Sequence, residues 1–168
     1  KTTRRILCSL QKGDDCMSEI LDLSLAPSGL DKINWVKSYM PVLNVIEKEF
    51  TAQKPFAGMK ISMSIHLEAK TAYLATILKA GGAQVWCTGC NPLSTQDDVA
   101  AALVSLGFEV FARHGVDEAT YQQHLVKTLS QCPDLMTDDG GDLTALLHGE
   151  YPQYGVNLIG GAEETTTG

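Results

Sequence analysis

Three features of the 168-residue sequence predict a three-layer α/β sandwich, a parallel sheet between helices, with a helical lead-in at the N-terminal side. Short apolar runs alternate with longer amphipathic stretches. Glycines close most of the amphipathic stretches, and polar, titratable segments follow the apolar runs. Strands alternating with helices are the pattern of consecutive right-handed βαβ units, which place their strands parallel in one sheet.

Taken in order, residues 1–24 show little periodicity and read as an arm or extension, and residues 25–168 read as the α/β domain. Leu30, Ile33, Val36, Met40, Leu43, Ile46 and Phe50 recur at spacings of mostly three and four, so one amphipathic helix is expected, capped by Ser28 and bent at Pro41. Met59 to Ile65 alternates as a first strand, and a helix from Glu68 to Ala80 ends at Gly81-Gly82. Ala83 to Trp86 reads as the second strand. Ser94 is placed as the cap of the next helix, whose first turn carries Asp97 and Asp98 at the positive end of its dipole. Phe108 to Ala112 is the third strand and Asp117 to Gln131 a helix. Asp134 to Thr137 is the fourth strand, Gly141 to His148 a short helix, and Val156 to Ile159 the fifth strand. The whole is an αβα arrangement of the Rossmann or flavodoxin kind. Trp35 and Trp86 read as core; His114, His124 and His148 read as surface or helix residues.

Composition narrows the function. Thirteen Lys and Arg against twenty Asp and Glu leave a net charge of −7, which lacks the basic footprint of a nucleic-acid or anionic-membrane binder. No apolar run reaches the length of a membrane-spanning helix. Five cysteines, at 8, 16, 87, 90 and 132, are odd in number and not spaced as a disulfide framework. A reduced, cytoplasmic setting is expected.

In an open parallel sheet, ligands bind beyond the carboxyl ends of the strands. The segments after the strands are Ser64-Ile-His66-Leu-Glu68, Cys87-Thr-Gly-Cys90-Asn91, Asp138-Asp139-Gly-Gly-Asp142 and Gly160-Gly-Ala-Glu163-Glu164-Thr165-Thr166-Thr167. Each also has a plain structural reading: His66 as a strand-end histidine, Asp138-Asp139-Gly-Gly as a turn capping a helix, the acidic threonine run as a solvated tail. Their gathering at one edge favours a site. Cys87-x-x-Cys90 alone resembles a thioredoxin-like redox pair. Together with His66-Leu-Glu68 it echoes a zinc nucleoside deaminase, in which His66, Cys87 and Cys90 would hold the metal and Glu68 would shuttle protons; Trp86 stands where that signature has proline.

Longer strings carry a more specific resemblance. Lys54-Pro-Phe-Ala-Gly58, His66-Leu-Glu-Ala-Lys-Thr-Ala72, Cys90-Asn-Pro-Leu-Ser-Thr-Gln-Asp97, Asp138-Asp-Gly-Gly-Asp-Leu143 and Glu163-Glu-Thr-Thr-Thr-Gly168 occur in this order. The chain from about residue 25 onward resembles the N-terminal substrate-binding region of the S-adenosylhomocysteine hydrolases. The resemblance implies a thioether hydrolase that uses NAD to oxidise the ribose 3′-hydroxyl transiently, expelling homocysteine from C5′ and leaving adenosine. It implies His66 near the leaving group, Asp139 in acid–base work around C4′ and C5′, and Glu164 on the ribose hydroxyls. Thr165, Thr166 and Thr167 are implied to contact NAD, and Asn91 and Gln96 to line the pocket.

By the same resemblance the substrate is a nucleoside thioether, and the full-length enzyme is a homo-oligomer. The threonine and glutamate of animal-type members are replaced by Glu68 and Lys70, which leaves the base open between adenine and hypoxanthine. No GxGxxG follows a strand. The chain is therefore expected to stop before the family's NAD-binding domain and to be inactive alone; a non-catalytic regulatory relative is the remaining alternative.

Overall fold

The computed structural model describes residues 18–164. Eleven elements build the domain: α1 (Ala26–Lys37), α2 (Pro41–Gln53), β1 (Lys60–Ser64), α3 (Ala69–Ala80), β2 (Gln84–Thr88), α4 (Asp97–Ser105), β3 (Glu109–Phe111), α5 (Glu118–Leu129), β4 (Leu135–Asp138), α6 (Asp142–His148) and β5 (Gly160–Glu163). All strands pair in parallel in the order β3-β2-β1-β4-β5. The sequence steps outward from β1 to β2 and β3, then returns to the other side of β1 for β4 and β5. The order therefore reverses between β1 and β4, and a crevice opens at their carboxyl ends.

Strand alternation explains the two layers. Ile61 and Met63 of β1 join Ile33, Tyr73, Val85, Leu103 and Val110 in the larger core, with α1, α3 and α4 on that face. Ser62 and Ser64 point the other way, and Ser62 donates to the carbonyl of Thr128 in α5 at 2.7 Å. Tyr121, Leu125 and Leu129 of α5 pack with Met136 and with Leu143 and Leu147 of α6 as the second core. Gly29 lets α1 approach α4 closely, since a Cβ there would stand 1.9 Å from the carbonyl oxygen of Asp98.

Several expectations are corrected. The long lead-in helix is two helices, because Pro41 has no N–H to continue the first and disfavours helical backbone at Met40, which sits at φ −120° and ψ 66°. Ser28 does not cap: α1 starts at Ala26 with Pro27 in its first turn, and Ser28 donates to Asp98 instead, at 2.8 Å. Ser94 does not cap α4, which begins at Asp97. The fifth strand lies at Gly160–Glu163 rather than 156–159, in register Leu135↔Gly160 and Asp138↔Glu163. An edge strand with exposed side chains is selected by backbone pairing, so the apolar run before it was a poor guide. Trp35 is 64% exposed and lies tilted against Tyr39, ring centroids 4.7 Å apart, instead of entering the core, whereas Trp86 is buried and donates its indole N–H to Glu109 at 2.8 Å.

Residues 1–17 of the expected arm lie outside the described residues. Of residues 18–24, Glu19 makes an isolated parallel bridge to Phe111 at the sheet edge, its N–H donating to Val110 at 2.8 Å and its carbonyl accepting from Ala112 at 3.0 Å. Cys87 and Cys90 are free thiols, but Cys132 is disulfide-bonded, which departs from the expectation of an all-reduced set. Among the described residues no helix is long and apolar enough to cross a membrane.

Candidate functional site

The crevice at the β1/β4 boundary is built from three strand exits. After β1, the chain places His66 with its side chain 48% exposed. Glu68 then caps α3, its carboxylate accepting from the N–H of Thr71 at 3.4 Å. After β2, the turn through Cys90 and Asn91 returns along His66. Ser94 Oγ donates to the Asn91 carbonyl at 3.0 Å and lies 2.5 Å from His66 Nδ1. Ser94 thus braces the ring at Nδ1, and Nε2 faces the crevice.

After β4 come two adjacent carboxylates with different work. Asp138, 1% exposed, accepts from the N–H of Asp139 at 3.2 Å and from the N–H and hydroxyl of Thr144 at 2.8 and 2.9 Å. It ties β4 to the first turn of α6. Asp139, 7% exposed, faces the crevice. His66 Nε2 lies 3.4 Å from its Oδ2, and the Cys90 thiol donates to the same oxygen at 3.2 Å. Gly140 and Gly141 follow at φ +83° and +81°, a left-handed pair that only glycine adopts cheaply. Their turn is closed by Glu163, which accepts from Gly140 N–H at 2.6 Å. Glu164 N–H donates to Asp138 at 3.0 Å, bringing Glu164 to the same rim.

Behind the site, Tyr121 Oη lies 2.8 Å from the Cys90 carbonyl and 2.6 Å from Asp142, so α5 locks the β2 turn to α6. The Cys90 thiol is pushed well above the ordinary range by burial first, then by its hydrogen bond to Asp139. The phenol of Tyr121 is pushed up by burial and by Asp142. A cleft of about 430 Å³ runs beside this cluster, lined among others by Ile65, Glu68, Lys70, Thr71, Thr137 and Glu164. A second hollow, lined by Trp35, Glu68, Lys70 and Gln96, adjoins it. Lys70 Nζ lies 3.8 Å from Glu68.

Of the residues expected from sequence, His66, Asp139 and Cys90 meet in one cluster, with Glu68 and Glu164 along the neighbouring cleft. Gln96 lies on the flank, held by Lys32 at 3.0 Å. Thr165, Thr166 and Thr167 fall outside the described residues. Ser94 and Tyr121 were missed as site residues; they act through contacts 21 to 31 residues away in sequence, which no local signal marks, whereas Asp138 ties its turn to α6 much as the plain turn reading had it. The deaminase reading is overturned: Cys87 is 1% exposed within the larger core, and burial raises its thiol to about 12. His124, read as a surface or helix residue, is a buried residue of α5 beside Glu19, with Nε2 3.5 Å from that carboxylate.

An open α/β sheet with a histidine and a carboxylate facing each other at its switch point has the layout in which such folds take small ligands. The profile of the family described as S-adenosyl-L-homocysteine hydrolase matches residues 17–166, and the chain belongs to that family. It is 53% identical over 152 residues to the S-inosyl-L-homocysteine hydrolase of Methanococcus maripaludis, covering 90% of this chain and 37% of that protein. It is 55% identical over 141 residues to the adenosylhomocysteinase of Thermotoga maritima, covering 84% of this chain and 35% of the relative. The adenosylhomocysteinase of Aquifex aeolicus is 51% identical over 89% of this chain and 36% of its own length. The chain thus spans little more than a third of the curated relatives it matches.

Proposed function

We propose that this chain is the substrate-binding portion of an enzyme that splits S-adenosylhomocysteine into adenosine and homocysteine. The observation that carries the reading is the approach of His66 Nε2 to Asp139 Oδ2, 3.4 Å apart at the mouth of the crevice. His66 is exposed on one side and braced by Ser94 on the other, so a proton on Nε2 can pass to the departing homocysteine sulfur. Asp139 orients the ring, pairs with it when charged, and exchanges protons around C4′ and C5′. Glu164 accepts from the ribose hydroxyls. Water enters by the same open side.

NAD belongs to this reading only for the complete enzyme. Its expected contacts here, Thr165, Thr166 and Thr167, lie outside the described residues, and no GxGxxG follows any strand. None of the steps above passes through the dinucleotide. Homo-oligomer assembly of the complete enzyme is carried by the same resemblance, a cytoplasmic setting by the number and spacing of the cysteines, and this chain alone is expected to be inactive.

A second reading concerns the base. Glu68 and Lys70 lie on the cleft wall as an acceptor and a donor. Hypoxanthine offers N1–H to a carboxylate and O6 to an ammonium; adenine offers its amino group and N1 in the exchanged order. The relatives' names divide in the same way. Turnover of S-adenosyl- and S-inosylhomocysteine by the complete protein carrying this sequence decides between them. A strong adenosyl preference is expected under the main reading and an inosyl preference under the second. Failure to release homocysteine from either substrate overturns both and favours a non-catalytic relative.

A further inference from the structure

We infer that His66, Cys90 and Asp139 form an inhibitory site for a thiophilic divalent cation such as Zn²⁺ or Cd²⁺. One ligand atom from each residue lies within 4.8 Å of the other two. The His66 Nε2 to Asp139 Oδ2 distance is 3.4 Å and the Cys90 Sγ to Asp139 Oδ2 distance is 3.2 Å. Ligand bonds of about 2.0–2.3 Å in a tetrahedron put its corners roughly 3.3–3.6 Å apart, so the two edges that meet at Asp139 are already close to those of a zinc polyhedron, and closing the third takes a small movement of His66 or Cys90.

A second observation points the same way. Ser94 Oγ, which donates to the Asn91 carbonyl at 3.0 Å, lies 2.5 Å from His66 Nδ1, so the ring is held through that nitrogen while Nε2 faces the carboxylate. A histidine held through its remote nitrogen and a thiol loop anchored by Tyr121 are the outer supports that metal ligands use. On binding, the Cys90 thiol releases its proton to solvent as the metal–sulfur bond forms, and the fourth position stays open to water. The ligands differ from those of the deaminase pattern, since Asp139 replaces Cys87.

Because the cation takes both acid–base groups, it blocks turnover; this consequence rests on the proposed function, whereas metal binding does not. Cd²⁺ titrated into the complete protein is expected to produce a thiolate-to-metal absorption band in the near ultraviolet that Cys90→Ser removes. His66→Gln should keep the thiol but weaken binding by more than tenfold, and Ser94→Ala should weaken it by about tenfold. A band of unchanged size in Cys90→Ser, or unchanged affinity in His66→Gln with native circular dichroism, overturns the site. In parallel, Zn²⁺ should inhibit homocysteine release competitively with the nucleosyl substrate and reversibly with a chelator. A protein with the Cys90-dependent band but no turnover retains the metal site and loses the hydrolase reading; turnover without the band does the reverse.

Discussion

His66 and Asp139 come from strand exits far apart in the chain, yet Nε2 of one lies 3.4 Å from Oδ2 of the other. The contact exists because β1 and β4 are neighbours in the sheet, paired Ile61↔Leu135 through Met63↔Thr137. Each strand delivers its polar exit to the same end, and the change in winding direction keeps a helix from filling the gap.

The two aspartates after β4 should separate cleanly on mutation. Asp139→Asn, in the complete protein, is expected to lower homocysteine release by about 10²–10⁴-fold with the fold retained, the range for a general acid–base group. Asp138→Ala strands the N–H and hydroxyl of Thr144 and the N–H of Asp139, and should cost about 1–3 kcal/mol of stability. Urea unfolding followed by circular dichroism, beside an activity assay, reads both.

Cys90 should be a slow nucleophile despite lying at an accessible rim. Burial, and next its hydrogen bond to Asp139, hold the thiol protonated, and the thiolate is the reactive form. Alkylation by iodoacetamide, followed by mass spectrometry, is expected to keep rising with pH past 9.0, the ordinary thiol value, without a plateau. Asp139→Asn should accelerate it at every pH.

The contact between α1 and α4 predicts a severe cost at one glycine. A Cβ on Gly29 meets the Asp98 carbonyl oxygen at 1.9 Å and the Ala102 Cβ at 2.8 Å, backbone and packed side chain that cannot swing away. Gly29→Ala should destabilise by about 1–3 kcal/mol or more, outweighing the roughly 1 kcal/mol gained in helix propensity. A thermal melt against the parent protein measures it.

His124 sets a pH dependence of stability. Burial is the main cause holding its pKa below 6.5, opposed by Glu19. The unfolded chain therefore binds this proton more readily than the folded one. The stability is complete above the unfolded value and is lost as pH falls from about 6.5 through the lowered folded value. Denaturation midpoints across this window should fall with acid, and His124→Gln should flatten the slope.

The helix and strand series was legible because each element carries its own period and its own stop, as Gly107 does with φ +77° after α4. The failures were those in which a long-range partner outweighed the local pattern. Ser28 prefers Asp98 to a cap, Ser94 prefers His66 and Asn91, and β5 follows its pairing with β4 rather than its own hydrophobicity.

The sequence by itself determined the α/β alternation, the family, and the fact that His66, Asp139 and Glu164 leave their strands at one edge. Which of these residues meet was decided only by the tertiary structure. Strand order depends on hydrogen bonds between segments distant in the chain, and no local periodicity encodes it. Placing β1 against β4 joined His66 to Asp139, and the fold buried Cys87 while turning Cys90 toward them.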